Sequence, residues 1–230
     1  MWRGHHWSSG GGERSVERHG RRSRALAAVA VGLAGLVVAA FFAFQAFREH
    51  PATAAPPMPA PTASGTATPS VSPVLPRSAP VRLDVPRIDV RTPLMKLAKN
   101  ADQTVETPPL SRAQEAGWYR LGAAPGSRGA AVIIGHVDTA REPAILYRLG
   151  DLRPGDQARV LRADGRTAVF RIDSVERVDK DQFPTRRVYG DPGYAAIRLI
   201  TCGGRFDRGS GHYTDNVIAF GHLVRSEGAR

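Results

Sequence analysis

The chain has 230 residues, 42% of them hydrophobic and 23% charged, with a formal net charge of +11, 18 prolines and one cysteine. A lone cysteine excludes an internal disulfide, and scattered histidines beside it do not supply the spaced ligand set of a zinc site. The charge is shared out, with eight Lys and Arg against three acids in residues 1–80 and 24 against 18 in the remainder, so no segment carries the basic excess by itself.

Residues 1–24, rich in Gly, Arg, His and Ser, read as a basic cytoplasmic tail, with His5 and His6 solvated rather than metal-binding. Ala25 to Phe44 then runs for twenty residues without a charge. At 1.5 Å per residue such a helix spans about 30 Å of hydrocarbon. Its length favours a membrane anchor over residues 25–47 rather than a cleaved signal peptide, whose apolar core is shorter. Arg14, Arg18, Arg21, Arg22 and Arg24 precede it, whereas Arg48 on the far flank is offset by Glu49, which predicts a cytoplasmic N-terminus and an extracytoplasmic remainder. On that side of the membrane nucleic acid is not an expected partner, and the positive surface reads as one facing an anionic envelope.

Residues 48–80 are Pro, Ala, Ser and Thr with few large apolar side chains, a composition that predicts a solvated, partly polyproline II linker. Residues 81–225 form the expected globular domain, followed by a short tail over 226–230. Short β-branched runs at Val81–Val85, Ala130–Ile134, Gln157–Leu161, Thr167–Ser174, Ala196–Thr201 and Asn216–Val224 are separated by turn signals such as Arg153-Pro154-Gly155-Asp156 and Ala163-Asp164-Gly165-Arg166. That spacing predicts a mostly antiparallel barrel, with short helices near Leu110–Glu115 and Pro143–Leu149.

Cys202 ends the Ala196–Thr201 run and precedes Gly203 and Gly204, so it is expected at a strand end facing a loop. A buried free thiol acting as a small hydrophobe is the plain alternative. An unpaired thiol kept in an oxidising compartment points instead to chemical use, as a nucleophile. Because the free thiol titrates near pH 8.5, such use calls for a neighbouring base or cation. Of seven histidines, His5, His6, His19 and His50 fall before the domain, leaving His136, His212 and His222. His136 comes after the Ala131–Ile134 run and a glycine, which makes it the preferred partner over His212, in the Gly-rich loop after Cys202, and over His222, within a late strand.

The segments Ile134-Gly135-His136-Val137-Asp138-Thr139, Leu199-Ile200-Thr201-Cys202-Gly203-Gly204, Phe206-Asp207 and Gly211-His212-Tyr213-Thr214-Asp215-Asn216-Val217 together resemble the sortase family, specifically its class F branch. The resemblance covers essentially the whole globular domain. It implies an eight-stranded sortase β-barrel and a cysteine transpeptidase that cuts a Leu-Pro-x-Thr-Gly-like sorting signal after Thr. Cys202 would form the acyl-thioester, and His136 would serve as acid and base. The partners implied are secreted proteins bearing the signal and an amine of a cell-wall precursor. No cofactor is expected, and the calcium bound by some relatives would need an acidic cluster that the sequence does not display.

One departure stands out. Most sortases carry an arginine on the strand after the cysteine, and that strand here begins Asp215-Asn216-Val217-Ile218. Asn216 and Arg205 are the candidates for holding the oxyanion or orienting substrate; the plain readings are a strand-start residue for Asn216 and a solvated loop arginine for Arg205. Asp138 and Thr139 are expected to shape the loop after His136, or to orient the histidine, rather than to react. Two other readings fit the same residues: a cysteine peptidase that only hydrolyses, and a non-catalytic extracytoplasmic β-domain that binds wall polymer or protein.

Overall fold

Residues 56–59 and 73–228 are described by the computed structural model. The predicted basic tail, the membrane anchor and most of the linker fall outside them. Among the described residues no helix is long and apolar enough to cross a membrane.

Alternation of apolar and polar side chains sets the strands. β1 (Pro80–Val85) buries Leu83 and Val85 and pairs antiparallel with β2 (Val90–Leu97) across a tight turn. Asp89 closes that turn in the left-handed region at φ 57°, which an Asp tolerates better than most residues. β3 (Ala116–Tyr119) and β4 (Gly129–Ile134) come next, then β5 (Gln157–Arg162), β6 (Thr167–Asp179), a short helix α1 (Thr185–Tyr189), β7 (Ala195–Asp207) and β8 (His212–Glu227). The eight strands close into a barrel in the order β1-β2-β3-β4-β7-β8-β6-β5. Closure leaves no sheet edge unpaired.

Six of the eight pairings are antiparallel, while β2–β3 and β4–β7 are parallel. Parallel neighbours need long crossovers. Residues 98–115 serve the first pair, and the excursion through β5, β6 and α1 serves the second. The sequence reading found neither β2, whose alternation is interrupted by Pro93, nor the four-residue β3. Helix over Leu110–Glu115 shrinks to one 3-10 turn at Leu110–Arg112, and Pro143–Leu149 is turn rather than helix, with a 3-10 turn only from Leu149 to Asp151.

β4 and β7 are buried on both faces, as parallel strands are. Ile133, Ile197 and Leu199 point into the barrel, where they join Leu83, Val160 and Phe170 in the main core. Val132 and Ile200 point outward and meet Ile218, Phe220 and Val188 of α1 in a second apolar cluster, with Phe183 and Val178 against it. The face of β4, β7 and β8 opposite the barrel core is therefore roofed by residues 178–189. The site lies at one end of that roof.

The linker is not solvated throughout. Leu75 donates its backbone N–H to Gly126 O at 2.8 Å, Arg77 donates to Gly122 O and Arg120 O at 2.9 and 2.8 Å, and buried Arg162 donates to Pro76 O at 2.6 Å. Residues 73–79 thus lie along the barrel, and Pro76 O adds one more acceptor to the buried Arg162, which also bonds Pro125 O and Asp164.

Candidate active site

Parallel register brings the two predicted reactive residues together. Gly129 pairs with Ala195 and Ile134 with Ile200. Gly135 continues the ladder by donating its N–H to Ile200 O at 3.1 Å. Two residues beyond Ile134 and Ile200 lie His136 and Cys202, and both keep the outward parity of those isoleucines. Both line one cleft of about 590 Å³ with Ile200, Thr201, Phe183 and Tyr189.

The glycine before His136 has a steric reason. A Cβ at Gly135 would come within 2.9 Å of Ile145 and Leu146 side-chain carbons, so only a bare backbone lets the next segment pack here. That segment then fixes His136, whose carbonyl accepts from Leu146 N–H at 3.0 Å. The ring Nε2 lies 2.5 Å from Pro108 O. A carbonyl can only accept, so Nε2 carries the proton and the lone pair of the neutral ring sits on Nδ1.

Cys202 is half-buried and lies within β7, which continues to Asp207, rather than at a strand end. A β-bulge comes directly after it: the β7–β8 register shifts between Gly203 and Phe206, and Gly204 adopts φ 79° with Asp215 and Thr214 where a Cβ would stand. The two glycines thus serve the bulge. Burial pushes the Cys202 thiol above its ordinary pKa; the Lys180 ammonium draws it back by charge and hydrogen bonding, and the Asp138 carboxylate adds a smaller upward push.

Asn216 is the direct β8 partner of Cys202 and lines the cleft. Arg205 sits in the bulge, exposed, with its backbone N–H donated to Thr214 Oγ1 at 3.2 Å, and it does not line the cleft. Of the remaining histidines, His212 opens β8 at the cleft rim, whereas His222 is buried further along that strand with Nδ1 2.7 Å from Asp173 Oδ1. Asp138 does not hold His136. It accepts a short hydrogen bond from Tyr213 Oη, tying the loop after β4 to the start of β8, and burial together with that bond raises the tyrosine pKa. Tyr213 is braced by Phe206 at a ring separation of 5.3 Å. Thr201, 4% exposed, shares the inward parity of Leu199 and keeps a buried, unpaired Oγ1 on the barrel side of β7. The sequence reading missed Lys180 and Pro108, both in connections whose path alternation along a strand does not reveal.

The sign of the Asp138 effect is testable. Removing the negative charge in Asp138→Asn favours the Cys202 thiolate, so alkylation by iodoacetamide should reach half its plateau rate at lower pH than in the unaltered protein. An unchanged or raised midpoint would mean that the carboxylate does not act on the sulfur.

A closed β-barrel with a thiol and an imidazole projecting into one apolar cleft from adjacent parallel strands defines a protein equipped for cysteine acyl transfer. Residues 83–224 match the family described as Sortase domain. The chain belongs to the sortase family, whose general activity is cysteine transpeptidation. No curated protein matches it significantly. Among solved structures it is similar to a lid mutant of sortase A from Corynebacterium diphtheriae, at 21% identity and a TM-score of 0.51 over 66% of this chain and 73% of that one. Sortase A from the same organism aligns at 20% identity and a TM-score of 0.50 over 65% of this chain and 62% of that one. At these identities the likeness concerns the fold.

Proposed function

We propose that this sortase is a membrane-anchored transpeptidase that cleaves a Leu-Pro-x-Thr-Gly-like sorting signal after Thr and passes the protein to a cell-wall amine. Residues 25–47 form the anchor, residues 48–80 the linker, and the barrel acts outside the membrane. The observation that carries the reading is the register of β4 and β7, which sets His136 beside Cys202 in a cleft walled by apolar side chains.

In the first step the thiol proton passes to His136 Nδ1 and the Cys202 sulfur adds to the Thr carbonyl carbon, sending the carbonyl π pair to oxygen. As the tetrahedral species collapses, the C–N bond breaks and imidazolium Nδ1–H protonates the leaving amine. A thioester remains on Cys202. In the second step neutral His136 takes a proton from the incoming amine as it attacks the thioester, and the thiolate leaves. Asn216, the β8 partner of Cys202, donates its amide N–H to the oxyanion.

Acceptor chemistry tests the assignment. The full-length chain, purified in mild detergent, is incubated with a Leu-Pro-x-Thr-Gly peptide set and either a glycine-ended or a diaminopimelate-type amine, and the products are read by mass spectrometry. A ligated product whose yield rises with amine concentration is expected. Cleavage that no amine diverts would assign the site to a hydrolytic cysteine peptidase.

A further inference from the structure

The cleft places a cation where the sequence reading found none. Val178 of β6 pairs with Asn216 of β8, and Asn216 with Cys202 of β7, so the three residues form one row across the sheet. Lys180 lies two positions past Val178, with the same parity, at the start of a one-turn 3-10 helix over Lys180–Gln182. Asp179 fixes that turn by accepting Asp181 N–H at 2.8 Å. The Lys180 side chain enters the cleft beside Cys202 and His136, and its ammonium stands against the sulfur. Among the described residues lining the cleft it is the one Lys or Arg.

The nearby arginines are committed elsewhere. Arg177 pairs with buried Asp215, Arg187 makes two bonds to Glu176 at 2.8 and 2.9 Å, and Arg205 is exposed on the bulge. The groups that face Cys202 are thus Lys180 from the β6–α1 connection, His136 and Asp138 from the loop after β4, and His212 and Tyr213 from β8. Lys180 opposes both burial and the Asp138 charge.

We propose that Lys180 is a catalytic residue of this sortase, the cation that holds the Cys202 thiolate and then the oxyanion formed when the sulfur adds to the substrate carbonyl. As the C–S bond forms, negative charge leaves sulfur for the carbonyl oxygen, two bonds away. A compact ammonium on a flexible four-carbon stem tracks that charge without giving up its proton. The thiol proton stays on His136 until the amine leaves. Ile200, Phe183 and Tyr189 give the cleft around the pair apolar walls, and low-polarity surroundings strengthen a point charge. The oxyanion part of the role rests on the transpeptidase reading above; the thiolate part does not.

The test uses Lys180→Met and Lys180→Arg in the full-length chain, each compared with the unaltered protein by thermal melting. Two readouts are taken: the pH dependence of Cys202 alkylation without substrate, and kcat/KM for peptide ligation. In Lys180→Met the alkylation midpoint should rise, and kcat/KM should fall about 10²- to 10³-fold, the usual effect of losing an oxyanion donor. Lys180→Arg should recover at least about tenfold of that loss by restoring the charge. A folded Lys180→Met variant with an unshifted alkylation midpoint and kcat/KM within about threefold of the unaltered protein overturns the proposal. If the midpoint shifts while the unaltered protein ligates no peptide, the thiolate role stands and the transpeptidase reading fails.

Discussion

Replacing Cys202 with alanine is expected to lower transpeptidation by about 10⁴-fold or more and to abolish the covalent adduct seen by mass spectrometry. The size reflects the loss of the whole covalent path, because nothing else in the cleft replaces the thiol: it is the one cysteine of the chain, and no serine lines the cleft among the described residues. Fold stability should change little, since the thiol is half-buried and takes up less volume than the apolar core residues around it. The adduct itself is the decisive readout. In the unaltered protein it should carry the peptide up to Thr, and in Cys202→Ala the full-length peptide should survive at every pH. Turnover persisting in Cys202→Ala would remove the thioester from the mechanism.

His136→Gln is expected to lower kcat/KM by about 10²- to 10⁴-fold, the range for loss of a positioned general acid and base. Glutamine retains an N–H for Pro108 O and so leaves the loop between β2 and β3 with its partner, while removing the group that cycles a proton. Two readouts should separate. Alkylation of Cys202 at high pH needs only the thiolate, which Lys180 still attends, so its plateau rate should survive. Peptide cleavage needs a proton delivered to the leaving amine, so it should remain slow at every pH. If high pH restored cleavage in His136→Gln, the histidine would serve only to form the thiolate.

The structure also shows why the thiol needs help. Burial alone holds Cys202 above its ordinary pKa, and the negative charge of Asp138 adds to that push, so the free enzyme at neutral pH keeps the neutral thiol. The activity should therefore rise with pH toward the thiol pKa, and Asp138→Asn and Lys180→Met should move the thiol midpoint in opposite directions. Those opposite signs distinguish electrostatic control of the sulfur from general loosening of the cleft.

Strands β1, β4, β5 and the body of β6, β7 and β8 were legible because their alternating or continuous apolar runs are bounded by turn residues, and these are local properties. Lys180 and Pro108 were not, since each belongs to a connection that reaches the cleft only after the barrel has closed. The extension of β6 beyond Ser174 was hidden by the register shift between Ile172 and Ser174, which reverses the parity of the residues after it. That shift also decides that Lys180 points with Val178 toward the site.

By itself the sequence determined the chemistry available: one thiol, one histidine after a strand and a glycine, and a barrel's worth of short β-branched segments. Its motifs were specific enough to name the family, because Gly-His and Thr-Cys each require a particular residue next to a strand. Only the tertiary structure decided that β4 and β7 run parallel as neighbours, which turns two distant motifs into one site through backbone hydrogen bonding. It also decided which cation faces the sulfur. Arg205 is close to Cys202 in sequence but is turned out by the bulge, whereas Lys180, twenty-two positions earlier, is carried in by strand register.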